Sequence, residues 1–501
     1  MKNKTGVCRA LLLVGMGLMI PCYLFTAGNT LLSPWPLYDR NRLALCLLTP
    51  LCLLLLLLLG RAAKAKVFET HERAVLLGFA AFYFVIQLVM ASALRFTPVT
   101  DLEQCVTAAR RLAQTGAFGN SERSLIYFGR YPHNMGLVYL LAGIFKAADA
   151  LGADELMAAA LVCGLLFSMG LLCAARLCRR LGGAQAQARA LLLFATCLPF
   201  LYCTSELYTD AFSVAFAPMI VFAFLKARDA GSRKERALWA LLFAVCTFFG
   251  AQIRFPTIIA AIACLIAALF EKRAKLTALL AAPLALVFAV GGGAVNAANK
   301  ANLGAANIAQ NKLPKLHYIA MGLPVQSDEG YGQYGYGGWL IFSTSFDDPQ
   351  ARDEALRQEV VDRAYTLARH PAQLLSTLSR KNLSTFGRGT FNLNEIFEAD
   401  AHEADNAVKQ AVFENGRFNR AYTHLATAMF VAQMALACIA CIQAIRRRDT
   451  RAAPLFLTLL GAFLFLSIWE TRARYFFQFM MILLCAGAMF ETPSTHAAQK
   501  A

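Results

Sequence analysis

Charged residues are scarce in this sequence, whereas long apolar runs are frequent. Only 16% of the 501 residues are charged and 58% are hydrophobic, while a soluble domain carries about 25% charged residues. The sequence also lacks the segments of alternating hydrophobicity, roughly ten residues long, that indicate a β-barrel. Apolar stretches of membrane-spanning length recur instead, so the composition predicts an all-α polytopic membrane protein.

Signatures of common cofactor and hydrolase sites are lacking too. No Walker, Rossmann, HExxH or GxSxG pattern occurs in its required structural context. Most of the 15 cysteines lie in apolar runs, where they act as small hydrophobic residues rather than as a disulfide framework. Function must therefore be sought among the few polar residues at the ends of the apolar runs.

The excess of positive charge has a topological explanation. The formal net charge is +17, but the cations cluster in short loops between apolar runs, which is the positive-inside pattern. We therefore expect no nucleic-acid partner. The cytoplasmic loops predicted in this way contain Arg61, Lys64, Lys66 and Arg73; Arg176, Arg179 and Arg180; Lys226, Arg228, Arg233, Lys234 and Arg236; Lys272, Arg273 and Lys275; and Arg446, Arg447 and Arg448.

Apolar runs of about 20 residues predict about twelve transmembrane helices. If the N- and C-termini lie in the cytoplasm, all of the basic loops named above fall on the cytoplasmic side. We expect an extra N-terminal transmembrane hairpin (1–73), a transmembrane core (74–295) with a first outer loop (95–154), a long outer loop with amphipathic helices (296–421), C-terminal transmembrane helices (422–490) and a cytoplasmic tail (491–501).

Two outer segments are predicted to be helical without crossing the membrane. Residues 134–151 are apolar but short, and a crossing there would turn every later basic loop outward, so a juxtamembrane or re-entrant helix is predicted. In the long outer loop, residues 349–369 are predicted to form an amphipathic helix. Its expected apolar stripe comprises Ala355, Val360, Val361, Ala364 and Leu367.

Two groups of acidic residues lie at the predicted outer mouths of the spans. Asp101, with Glu103 close by, follows the third apolar run, and Glu206 and Asp210 precede the sixth. Carboxylates held at a membrane mouth are candidates for function. The alternative is structural: Asp101 could cap a helix, and Thr209 or Asp210 could cap the helix beginning at 211. On a continuous helix Glu206 and Asp210 would share a face.

Basic and aromatic residues form the other candidate constellation. Arg254 lies in one predicted outer turn, and Arg472, Arg474 and Tyr475 lie in another. Outer arginines run against the positive-inside trend, and guanidinium groups bind phosphate well. The alternatives are interfacial snorkelling for Arg254 and a local pair between Glu470 and Arg474.

These motifs, in this order, resemble the GT-C superfamily of membrane glycosyltransferases. The closest likeness is to bacterial protein O-mannosyltransferases and lipid A aminoarabinose transferases. In such proteins an acidic motif like Asp101 and Glu103 precedes a proline-led juxtamembrane helix, here after Tyr131–Pro132. Another outer acid, like Asp210, and a late Arg–Tyr turn, like Arg474–Tyr475, follow. This chain has Asp–Leu–Glu in place of the adjacent acidic pair of the O-mannosyltransferases.

The resemblance implies a GT-C-like helical bundle that transfers a sugar from a polyprenyl-phosphate donor at the outer face. Arg254, Arg472 and Arg474 would bind the donor phosphate, with Asp101 as general base and Asp210 as a second catalytic acid residue. Glu103, Tyr131, His133, Glu206 and Tyr475 would contact the sugar or the acceptor. The acceptor class stays open among protein, lipid and glycan, and so does a divalent metal ion held by Asp101 and Asp210.

Other functions are compatible with the same layout. A polysaccharide ligase or polymerase would use a diphosphate-linked donor. A transporter or lipid flippase would place ionisable groups near the bilayer midplane, often at paired repeats, whereas the suspicious charges here lie at span ends. A non-catalytic scaffold leaves the outer arginines without a purpose. The expected location is a bacterial inner membrane.

Overall fold

The fold is entirely helical in the part of the chain that the structure, a computed structural model, describes. That part covers residues 2–491 except 36, 38–40, 64, 96, 120, 327–328, 394–405 and 414–415. Lys64, and the predicted tail apart from Glu491, lie outside it. The long or apolar helices are α1 Lys2–Leu32, α2 Arg42–Ala62, α3 Ala65–Ala93, α7 Glu155–Ala195, α8 Thr209–Ser213, α9 Phe216–Asp229, α10 Arg233–Ile253, α11 Ile258–Phe270, α12 Ala274–Leu303, α19 Asn419–Arg446, α20 Ala453–Ile468 and α21 Met480–Ala488.

The remaining helices lie in two groups between these spans. The first group is α4 Thr100–Thr115, α5 Glu122–Arg130 and α6 Met135–Ala150. The second is α13 Ala305–Asn311, α14 Lys315–Gly322, α15 Trp339–Thr344, α16 Pro349–Arg369, α17 Pro371–Phe386 and α18 Ala407–Val412.

Helix α7 is a hairpin of two antiparallel arms. The backbone leaves helical geometry at Gly182 and Gly183, where Gly183 has a φ of 73°, a conformation that costs glycine little. Glu72 pairs with Arg179 before the break at 2.9 Å and accepts a hydrogen bond from Gln187 after it at 3.1 Å. The chain therefore turns back at the glycines.

The expected number of apolar segments is confirmed. In the described residues, eight helical spans are long and apolar enough to cross a membrane, and three shorter apolar helices accompany them. Since α7 contributes two arms, the bundle contains about twelve apolar segments, as predicted. The chain is a multi-pass membrane protein.

The basic loops assemble at one end of this bundle, which we call the basic end. Arg180, at the turn of α7, pairs with Asp229 at the end of α9 at 3.0 Å. Arg228 reaches Glu271, just after α11, at 3.8 Å, and Arg9 donates to the carbonyl of Arg448 after α19 at 3.1 Å. Loops far apart in sequence thus share one face, as the charge pattern predicts.

The segment between α3 and α7 starts and finishes at the opposite end of the bundle. Arg95, just after α3, pairs with Asp154, just before α7, and Arg110 of α4 pairs with Glu155. In α6, Tyr139 donates to Asn299 of α12 at 2.9 Å. Because the segment returns to the end it left, α6 does not carry the chain across the bundle.

Helix α16 has the predicted bounds, but its buried face differs from the predicted stripe. Asp348 caps its first turn by accepting from the amides of Gln350 and Ala351. The buried side chains are Arg352, Leu356, Arg363 and Leu367, whereas Val361 is 55% exposed. The predicted stripe was right for Leu367 and Val360 and wrong for Val361 and Ala364, which are exposed. It missed two buried positions because they are arginines.

Candidate functional site

A cavity of about 990 Å³ opens at the end of the bundle opposite the basic end. Its walls come from the first turn of α4, the turn before α6, the α10–α11 turn, one face of α12, the start of α14 and the α20–α21 turn. Eight of the ten predicted site residues line it. They are Asp101, Glu103, Tyr131, His133, Arg254, Arg472, Arg474 and Tyr475.

Asp101 lies in the first turn of α4 and faces this cavity. Its Oδ1 accepts a hydrogen bond from the hydroxyl of Tyr127 at 2.8 Å, and that hydroxyl accepts from Asn134 at 2.9 Å. The predicted capping role is wrong, because Val99 is the N-cap and no side chain caps this helix. Thr100 has a φ of 53°, a costly conformation for a β-branched residue. Glu103 lies exposed at the rim.

Asp210 lies behind the cavity wall and holds two of its arginines. Its carboxylate is fully buried, with Oδ1 at 3.0 Å from Nε of Arg254 and Oδ2 at 3.5 Å from Nε of Arg474. Arg254 also donates to Thr209 at 2.7 Å. A buried carboxylate shared by two guanidinium groups fixes them side by side.

Two predictions about this segment were wrong. Neither Thr209 nor Asp210 caps α8, because Tyr208 occupies the N-cap position without a side-chain bond. Glu206 and Asp210 do not share a helical face, since Leu207 between them has a φ of 50°. Glu206 is 1% exposed and does not line the cavity.

Aromatic rings orient the arginines further. The guanidinium of Arg254 lies 4.4 Å from the ring centroid of Tyr475 and that of Arg474 lies 5.3 Å from that of Tyr208, distances suited to cation–π attraction. Arg472 donates to the carbonyl of Tyr334 at 3.2 Å. The three predicted phosphate-binding arginines therefore have fixed positions around one space.

Glu470 joins the cavity as a residue that the sequence reading treated only as a local partner of Arg474. In the structure it accepts from the hydroxyl of Tyr475, while Arg474 pairs with Asp210. Burial raises the pKa of Glu470, and the hydrogen bond from Tyr475 and the charge of Arg472 oppose that rise. The spacing of Glu470 and Arg474 in the sequence does not indicate that Glu470 contacts Tyr475 instead.

His133 and Tyr131 line the cavity from the turn before α6. Partial loss of water around the ring, followed by the charge of Arg254, lowers the pKa of His133 to about 4, although the residue is exposed to the cavity. The imidazole is therefore neutral near pH 7. The hydroxyl of Tyr131 lies 2.7 Å from that of Tyr334, which brings the tyrosine–glycine loop at 330–338 against the cavity.

Sequence reasoning missed two further sets of lining residues. One is an aromatic stack in which the rings of Phe465 and Trp469 lie 5.2 Å apart and those of Trp469 and Tyr318 lie 5.1 Å apart. The other is a second group of cations: Arg123, Arg130, Lys312 and Lys315. These cations lie in predicted outer loops, where the positive-inside trend predicts few of them. Arg472 is a candidate on that ground, and the same argument applies to these four residues.

The residues do not fit a divalent ion shared by Asp101 and Asp210. Both oxygens of Asp210 face guanidinium groups, which would repel a metal cation. Among the described residues, no three or more His, Cys, Asp or Glu side chains are arranged to hold a metal ion.

Comparisons with known proteins give one family and one remote structural likeness. The sequence matches no curated protein. A solved structure, ArnT from Cupriavidus metallidurans bound to undecaprenyl phosphate, is 14% identical, with 83% of this chain and 78% of that chain covered and a TM-score of 0.37. A family model described as conserved hypothetical integral membrane protein matches residues 41–495. The chain belongs to that family.

Proposed function

We propose that this protein is an integral membrane glycosyltransferase that takes a sugar from a polyprenyl-phosphate donor and transfers it to an acceptor hydroxyl. The observation that carries the proposal is the meeting, in one cavity at a bundle end, of the Asp101 carboxylate with Arg254, Arg472 and Arg474. Such a transfer requires a base that takes the proton of the acceptor and cations that stabilise the leaving phosphate. A carboxylate can serve as the base, and guanidinium groups can serve as the cations.

In the proposed reaction, Asp101 accepts the proton of the acceptor hydroxyl as that oxygen bonds to the anomeric carbon. The bond from this carbon to the phosphate oxygen breaks, and its electron pair leaves with the polyprenyl phosphate. Attack opposite the leaving group inverts the anomeric configuration. The hydrogen bond from Tyr127 orients the Asp101 carboxylate for this step.

The arginines would stabilise the charge that develops on the phosphate. Fixed cations are effective because they need no rearrangement as charge moves, and loss of one such group typically costs about 3–4 kcal/mol of transition-state stabilisation. Arg254 and Arg474 owe their fixed position to Asp210. We therefore assign Asp210 a positioning role in place of the direct catalytic role predicted from sequence.

The remaining cavity walls suit a sugar and an apolar chain. Tyr131, His133 and Tyr318 provide aromatic and hydrogen-bonding surfaces for a sugar ring, with Glu103 at the rim for the acceptor. One face of α12 lines the cavity through Gly292 and Val295, and little of this apolar helix is buried. A polyprenyl chain would lie along the exposed surface of α12, because α10 and α12 pack against each other through Phe248 and Phe288.

We propose the orientation that follows from the charge pattern. The basic end would face the cytoplasm, together with both termini, and the cavity would face outward from a bacterial inner membrane. The confinement of the charged lining residues to one end of the bundle favours an interfacial enzyme over a transporter or flippase, which would need them near the midplane.

One observation favours a second candidate, a ligase or polymerase that uses a diphosphate-linked donor. Seven arginine and lysine residues line the cavity against three carboxylates, those of Asp101, Glu103 and Glu470. The cations Arg130, Lys312 and Lys315 exceed the needs of a single phosphate. They would suit the second phosphate of such a donor.

The experiment that tests the proposal compares lipid donors. Purified full-length protein in liposomes is given protein, lipid and glycan fractions of the cell envelope as acceptors, together with polyprenyl-phosphate sugars, polyprenyl-diphosphate sugars or the matching free sugar phosphates. Release of the lipid phosphate and addition of the sugar to the acceptor are followed by mass spectrometry. We expect consumption of a monophosphate donor. Consumption of the diphosphate donor alone would support the second candidate, and use of neither across a panel of sugars would contradict both.

A further inference from the structure

A second cavity, of about 480 Å³, lies at the basic end, far from the first. It lies between the start of α1, the ends of α9 and α11 and the loop after α19. Arg9 fixes one side of it by donating to the carbonyl of Arg448 at 3.1 Å. The glycosyl-transfer proposal gives this cavity no role.

Its lining is strongly positive. Five arginine and lysine residues face two carboxylates, those of Asp229 and Glu271. Both carboxylates are engaged, because Arg228 contacts Asp229 at 2.9 Å and Arg273 contacts Glu271 at 3.1 Å.

Arg451 pairs with a third carboxylate, that of Asp449, at 2.6 Å, and Arg9 lies close enough for its charge to act on Asp449 as well. Within the described ranges, Arg9 and Lys272 form no ion pair. Three carboxylates therefore leave two of the five positive charges for a ligand.

The backbone at the cavity is set by the ends of two helices. Lys272 and Arg448 have φ values of 58° and 56°, and the amides that follow them donate back to the carbonyls of Ala268 and Ala444, which is a common way for a helix to end. These turns place the Lys272 backbone at the lining, and its side chain is exposed.

Apolar surface adjoins the charged lining. Leu12 of α1 and Phe270 of α11 line the cavity. The residues before them, Leu11 and Leu269, are 51% and 58% exposed on the outside of helices that pack together. A ligand that occupies both surfaces would have an anionic head and apolar tails. Free phosphate would leave the apolar part unused.

We infer that this cavity binds the phosphate headgroup of an anionic phospholipid, with its acyl chains along α1 and α11. Basic pockets between transmembrane helices are suited to such headgroups. The site would bind a structural or regulatory lipid and is independent of the proposed transfer reaction.

The test measures lipid binding by the delipidated full-length protein with native mass spectrometry. The probes are phosphatidylglycerol, phosphatidylcholine of matched chains and soluble glycerol phosphate. The variant is Arg9→Gln with Lys272→Asn, because asparagine tolerates a positive φ. The control is Arg233→Gln with Lys234→Asn, which removes the same charge from exposed positions outside the cavity lining. A Lys272→Arg variant keeps the charge.

We expect phosphatidylglycerol to bind at least tenfold more tightly than phosphatidylcholine. The Arg9/Lys272 variant should lose about tenfold or more of that affinity, while the control and Lys272→Arg stay within about twofold of the unaltered protein. Equal binding of the two lipids, an equal loss in the control, or no loss in a folded Arg9/Lys272 variant would overturn the inference. Competition by glycerol phosphate at concentrations equal to the lipid would show a soluble-phosphate site and would also overturn it. Size-exclusion profiles and thermal unfolding confirm the folding of each variant.

Discussion

Asp210 and Arg254 form an ion pair at 3.0 Å in which the carboxylate has no exposed surface. Arg474 approaches the same carboxylate at 3.5 Å. Loss of the charge of Asp210 is costly, because two largely buried guanidinium groups would then lie side by side without a counter-charge. The positions of these two cations in the cavity therefore depend on one acid from a different part of the chain.

Asp210→Asn should destabilise the protein by about 3–5 kcal/mol, the usual cost of breaking a buried pair, and raise the KM for the lipid donor. Thermal unfolding in detergent and donor-dependent kinetics measure the two effects. The matched control is Asp154→Asn, which removes the partner of Arg95 at an exposed pair and should cost less than about 1 kcal/mol. Equal destabilisation by the two variants would contradict the role of Asp210.

Arg474→Ala should weaken use of the donor more than use of the acceptor, because its guanidinium is proposed to contact the phosphate. Initial rates with both substrates varied separate the two effects, and we expect a loss of about 100-fold in kcat/KM for the donor. Arg357→Ala, on the exposed face of α16, serves as the control and should leave both parameters unchanged. A loss confined to the acceptor would argue against a phosphate contact.

The pKa of His133 predicts a pH dependence of stability. Its folded-state value of about 4 lies below the unfolded value of about 6.5, so between these values the unfolded state binds a proton that the folded state does not. The contribution of His133 to the free energy of unfolding is therefore fully present above pH 6.5 and is lost as the pH falls toward 4. His133→Gln should show a shallower loss of thermal stability over that window.

NMR titration of histidine-labelled protein checks the same point directly. The His133 resonance, assigned by its absence in His133→Gln, should not titrate above pH 5. A midpoint near 6.5 would show that cavity water screens the ring from Arg254 and Lys312.

The proposed orientation predicts which thiols are reachable from outside the cell. Glu103→Cys and Lys312→Cys lie at exposed positions on the cavity side, and Lys234→Cys lies at the basic end. An impermeant maleimide should label the first two in intact cells and the third only after permeabilisation. If Glu103→Cys and Lys312→Cys were labelled from different sides of the membrane, the acidic and basic residues could not form one site, and the proposed site would be wrong.

The spans and the clustering of basic loops could be predicted from the sequence because both depend on local composition. Hydropathy gives the apolar segments, and the charges near Arg179 mark the turn between the two arms of α7. The assignment of 134–151 to one side followed from the same charge balance, and the pairing of Arg95 with Asp154 is consistent with it.

The internal arrangement of the site could not be predicted, because it depends on contacts between distant residues. Nothing near Asp210 indicates that residues 44 and 264 positions later will pair with it, and the local sequence favoured a helix cap. The positive φ values of Thr100 and Leu207 are enforced by the fold and change the direction of the acids beside them. Residue types identified Asp101 and the arginines as candidates, but only the three-dimensional arrangement separates a cavity acid from a positioning acid.

The most direct test of the central claim is the rate of sugar transfer by purified Asp101→Asn in liposomes, measured together with donor binding. Asparagine keeps the size of the side chain and can retain a contact with Tyr127, but it cannot accept the proton of the acceptor. We predict that transfer falls by about 100-fold or more while the affinity for the donor stays within about threefold. The control Glu354→Gln, at an exposed position of α16 outside the cavity lining, should transfer at close to the unaltered rate. Transfer by Asp101→Asn at the rate of the unaltered protein would contradict the account.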